Sequence, residues 1–107
     1  MSKEKSLVSQ AFQTFLAEAP EQAKAWGALV QSLGQASALD VKTAALAYLA
    51  VLAALERPSG IAFHVQAAKQ AGASREEVIS AVLVGLPAAG HVVTQALPLA
   101  VEAYDAE

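Results

Sequence analysis

The sequence predicts an all-α fold of about six helices, and three observations carry that prediction. Apolar residues recur every three or four positions, as in Leu7, Val8, Ala11, Phe12, Phe15 and Leu16, which is the spacing of one helix face. No strand-like alternation persists, and neither Asn-Gly nor Asp-Gly occurs to turn a hairpin. Helix punctuation, in contrast, is regular: Pro20 and Pro58 suit first turns, Gly72 suits a helix end, and Ser74-Arg75-Glu76-Glu77 is a capping box.

Taken in order, the first helix is expected from about Lys5 to Glu18. Pro20 lacks the amide hydrogen that a first helical turn leaves unbonded anyway, so it opens the second. That helix carries Ala23, Trp26, Leu29, Val30 and Leu33 on one face and ends near Gly34. After a connection over Gln35–Leu39, Asp40 is placed to cap a third helix, Val41 to about Leu55. Beyond Lys42 and Thr43 this third helix is apolar nearly all round, which predicts a central position covered on every side. Pro58 begins a fourth helix carrying His64, closed by a left-handed Gly72. The capping box opens a fifth with Val78, Ile79, Val82, Leu83 and Leu86. Pro87 and Gly90 should break it, and Pro98 should redirect a last helix ending near Tyr104. Residues 1–107 read as one domain, with N-terminal helices over 4–34 ahead of a core over 39–101.

Composition bounds the partners. Hydrophobic residues make up 55% and charged residues 16%, against usual shares of about 45–50% and about 25%. A domain of this size cannot hide so much apolar surface alone, which points to a homo-oligomer. Much of the excess is alanine, which is tolerated on a helix surface. The net charge of −3 and the scattering of the 7 basic residues argue against nucleic acid. The apolar run Ala44–Leu55 is shorter than the roughly 20 residues that span a bilayer, so no membrane association is expected. The absence of cysteine removes disulfides and thiol chemistry and makes the cytoplasm the default location.

Leu39-Asp40-Val41-Lys42-Thr43 opens an apolar helix, Ile61-Ala62-Phe63-His64-Val65 lies on the next, and Ala71-Gly72-Ala73-Ser74-Arg75-Glu76-Glu77-Val78-Ile79 leads into a Gly-containing apolar helix. In that order these segments resemble the carboxymuconolactone decarboxylase superfamily, which includes alkyl-hydroperoxidase-D-like proteins. The resemblance covers roughly Leu39 to Val101 and implies an all-α fold built around a helical hairpin and assembled into dimers, trimers or hexamers. Its peroxidase branch uses a Cys-x-x-Cys pair one turn ahead of a histidine, with a glutamate on the preceding helix. A thiolate attacks the peroxide, a second thiol resolves the sulfenic acid, and the nearby bases manage the proton. Laid on this chain, the cysteine positions are Arg57 and Gly60, the glutamate is Ala45, and His64 alone remains. The decarboxylase branch needs a general acid and groups that hold carboxylates, but its second histidine is not matched at Leu83-Val84-Gly85-Leu86.

His64 is the candidate catalytic residue, a general acid or base sharing a face with the small residues Gly60, Ala67, Ala68 and Ala71. The alternative for it is a buried histidine bonded to a backbone carbonyl. Arg57, Tyr48 and His91 are candidate ligand-binding residues, Arg57 as a holder of a small anionic molecule and Tyr48 as a neighbour of His64. The plainer reading of Arg57 is a solvated surface charge. His64 and His91 lack a third ligand at recognisable spacing, so no metal is expected, and no cofactor. The function read from the sequence is a small-molecule-binding oligomer that is not a thiol peroxidase. The alternatives are a cysteine-independent decarboxylase- or lactone-hydrolase-like enzyme using His64, and a structural or partner-binding subunit.

Overall fold

The computed structural model describes residues 9–106, so the expected helix start at Lys5, with Leu7 and Val8, lies outside the described residues. Within them the chain is all-α: α1 (Gln10–Glu18), α2 (Pro20–Ala36), α3 (Val41–Ala54), α4 (Ile61–Gln70), α5 (Arg75–Leu83), α6 (Leu86–Ala89) and α7 (Leu97–Asp105). Short 3₁₀ segments occupy Pro58–Gly60 and His91–Ala96. Because α6 is a single turn, six helices are longer than one turn, as the sequence predicts. The chain divides into two units, residues 1–40 and 41–107.

In the first unit, the Ser9 hydroxyl caps α1 by accepting from the Phe12 amide at 3.1 Å. Ala19 is the entire connection to α2: its amide donates to the Phe15 carbonyl and its own carbonyl accepts from Ala23. Pro20 follows at the start of α2, where its ring costs no hydrogen bond. The sharp turn sets Phe12 edge-on to Trp26, with ring centroids 5.3 Å apart. Leu29, Val30 and Leu33 further along α2 remain exposed.

The second unit holds the core. Leu49 and Leu52 of α3, Ile61 and Val65 of α4, Val78 and Val82 of α5, and Val93 of the second 3₁₀ segment form its larger members. Ala68, Ala96, Ala100 and Ala103 fill the spaces between them, and these small side chains let α4 and α7 pack together. Polar contacts tie α7 down. The Tyr104 hydroxyl donates to the Ala73 carbonyl at 2.8 Å, Lys69 Nζ donates to the Tyr104 carbonyl at 2.7 Å, and Gln66 Nε2 donates to the Ala103 carbonyl. Arg75 grips Asp105 through two bonds of 2.8 and 3.0 Å. Lys42 pairs with Glu77 at 3.1 Å, joining the first turns of α3 and α5.

The punctuation is largely where the sequence puts it. The capping box forms, with the Ser74 hydroxyl accepting from the Glu77 amide and the Glu77 carboxylate accepting from the Ser74 amide. Gly72 adopts φ +102 and lets the Ala73 amide reach back to the Ala68 carbonyl, closing α4. The end of α3 has the same bond pattern without a glycine. Arg57 N–H bonds the Leu52 carbonyl, Glu56 N–H bonds the Ala53 carbonyl, and Glu56 sits at φ +58.

Two expectations are modified. Helix α3 packs against α4, α5 and the second 3₁₀ segment, but only on the side of Leu49, Leu52 and Ala53. A flanking side stays open within the second unit, with Val41 75% and Leu55 60% exposed, so that unit by itself does not cover α3 all round. Downstream of Gly85, Pro87 falls inside the single turn of α6, and Gly90 (φ +85) turns the chain into a 3₁₀ segment.

Candidate functional site

Helix α4 sets its buried side with Ile61, Val65 and Ala68. His64 lies at the edge of that side and is half-buried. Tyr48 of α3 covers one side of the imidazole, ring centroids 4.4 Å apart and planes inclined by 45°. Phe63 stands edge-on to it at 5.1 Å, so two aromatic rings wall the imidazole. Gly60, one turn earlier, leaves room beside it. A Cβ at Gly60 would lie 3.6 Å from His64 Cδ2 and 3.2 Å from Leu52 Cδ1. A side chain at position 60 would therefore meet the histidine ring.

Neither ring nitrogen of His64 makes a hydrogen bond among the described residues, so no backbone carbonyl holds the ring there. Burial lowers its pKa below the usual 6.5, because the charged form loses hydration. At neutral pH the ring is therefore neutral, offering one N–H donor and one lone pair. Such a group is competent as a base or a hydrogen-bonding contact and poorly populated as an acid.

The other candidates lie apart from this arrangement. Arg57 lines a recess of about 190 Å³ whose wall includes Glu56, Pro58 and Gln95 and whose floor is Leu52 and Ile61; His64 does not line it. His91 is exposed at the start of the second 3₁₀ segment, where its backbone carbonyl accepts from the Thr94 hydroxyl at 2.8 Å. A second recess, of about 550 Å³ and largely apolar, runs between α3 and α5 past Leu46, Ala47, Ala81 and Val84, and it too excludes His64. Phe63 as a second wall, and Gln95 beside Arg57, were not singled out by the sequence, and Glu56, expected as an ion-pair partner of Arg57, forms no such pair among the described residues. A residue adjacent to His64 in a helix ordinarily faces away from it, and Gln95 lies far along the chain.

The site thus belongs to a cysteine-free helical protein with one histidine between two aromatic rings. The chain is a member of the carboxymuconolactone decarboxylase family, whose model matches residues 20–102. The matched span begins in α2, ahead of the Leu39 at which the motif resemblance starts. No curated protein and no solved structure matches the chain. Among the described residues no helix is long and apolar enough to cross a membrane.

Proposed function

We propose that the chain is a cytoplasmic, homo-oligomeric family member that binds a small molecule at His64 and has left thiol redox chemistry behind. The observation that carries this reading is the half-buried imidazole, free of hydrogen bonds among the described residues and set against Tyr48 at a 45° tilt. Its aromatic surroundings favour a planar, unsaturated ligand body, and its nitrogens offer one donor and one acceptor to that ligand's polar edge. Arginine and glycine at the positions of the family's two thiols, and alanine at that of its glutamate, leave no nucleophile for a peroxide. The exposed apolar side of α3 supports the oligomer.

A second reading is favoured by the lowered proton affinity of His64: a lactone-hydrolase-like enzyme in which the neutral imidazole acts as base toward water. The two readings separate in one experiment. Benzoate and benzamide are titrated against the protein while His64 ring signals are followed by NMR, and a small lactone is incubated in parallel. Saturable shifts without lactone opening support binding alone, and opening that His64→Gln abolishes supports the enzyme. Silence in both sinks the site and leaves a structural subunit. Organic hydroperoxide with a dithiol reductant should not be consumed above the buffer rate.

A further inference from the structure

The recess of about 190 Å³ beside Arg57 has a chemistry of its own. It opens where the end of α3, the Pro58–Gly60 turn and the His91–Ala96 segment meet, and its floor is aliphatic: Leu52, Ile61 and Ala96. Its polar groups are Glu56, Arg57 and Gln95. Glu56 and Arg57 are neighbours of opposite charge, yet among the described residues neither forms an ion pair, with the other or with any third group. Glu56, Arg57 and Gln95 thus line one recess, and among the described residues the two charged side chains have no ion-pair partner.

That combination selects against simple ions. A lone carboxylate drawn to Arg57 meets the negative Glu56, and a lone amine drawn to Glu56 meets the positive Arg57. A molecule with both charges satisfies both groups at once, and the guanidinium suits a carboxylate through two parallel bonds. The volume lies below the roughly 300–1,000 Å³ of sites for drug-sized ligands, so the body of the ligand is small. The aliphatic floor asks that this body be apolar. Glu56 adds a further sign: it holds a left-handed conformation, φ +58, at a helix end where glycine is the unstrained choice.

We propose that this recess binds a small zwitterion, an aliphatic α-amino acid of valine or leucine size. Its carboxylate lies on Arg57, its ammonium on Glu56, its polar edge against Gln95 and its side chain on the Leu52–Ile61 floor. Both charged groups stand in contact with solvent, so binding is weak and salt-dependent. The inference does not rest on the His64 site: His64, Tyr48 and Phe63 do not line this recess.

The test is titration of the full-length protein with L-valine and L-leucine, read from the backbone amides of Arg57 and Gln95 by NMR. Isovalerate and isobutylamine serve as the two halves of the zwitterion. The expected result is saturation by an amino acid at least fivefold tighter than by either half, with Arg57→Gln and Glu56→Gln each weakening it fivefold or more. Both replaced side chains are exposed, so these variants keep the fold. Isovalerate binding as tightly as L-valine, or a Glu56→Gln variant that binds unchanged, would reduce the recess to a plain anion site and overturn the proposal. Absence of saturable shifts with any of the four compounds also overturns it.

Discussion

Tyr48 and His64, from the consecutive helices α3 and α4, lie with ring centroids 4.4 Å apart. Tyr48 shields one face of the imidazole from water while leaving both nitrogens without a protein partner among the described residues. A histidine held in this way resists protonation.

Stability should therefore depend on pH in a definite direction. The folded state binds the His64 proton less readily than the unfolded chain, whose value lies near 6.5. The contribution of a neutral His64 is intact above that value and is lost as pH falls below it toward the lowered folded value. Urea midpoints should drop across that interval, and His64→Gln should flatten the drop. Glu77, lowered by the Ser74 amide bond and then by Lys42, and Asp105, lowered by its bonds from Arg75, add a slope of the same sign in the carboxylate range. An unchanged slope in His64→Gln contradicts the assignment.

The two matched helix ends make a paired prediction. Glu56 at φ +58 and Gly72 at φ +102 occupy equivalent positions at the ends of α3 and α4. A non-glycine residue there costs about 1–2 kcal/mol, so Glu56→Gly should stabilise the protein by about 1 kcal/mol and Gly72→Ala should destabilise it by a similar amount. Chemical denaturation with an unchanged m-value reads both. Destabilisation by Glu56→Gly would mean that the carboxylate makes a stabilising contact greater than the strain.

Much of this was legible in the sequence because local chemistry decides it. Ser74 with Glu77, Gly72 and Pro20 act within one turn of themselves, and their roles follow from spacing alone. Glu56 was not legible, since nothing in its type announces a left-handed residue. The separation of Arg57 from His64 was hidden for a related reason. Seven residues apart in a continuous α-helix they would share a face, but Arg57 (φ −110, ψ 77) precedes a 3₁₀ turn over Pro58–Gly60, and the α-helical phase starts only at Ile61. Likewise an all-apolar sequence predicts that α3 is covered, whereas its own unit leaves one side open.

That open side of α3 leads to an assembly prediction. Val41, Tyr48, Val51 and Leu55 stand exposed along it, an arrangement unusual on a monomer. Light scattering after gel filtration should give a multiple of 11.0 kDa, and Val51→Lys should shift the population toward monomer. A stable monomer at micromolar concentration would sink the oligomer.

The central claim, that His64 is a neutral imidazole open to a ligand, is tested most directly by ¹⁵N NMR of its ring across pH, with and without benzoate and benzamide. The account predicts a midpoint below 6.5 and ring signals that move saturably with at least one of these planar probes. A midpoint at or above 6.5, together with signals indifferent to both probes, would contradict it.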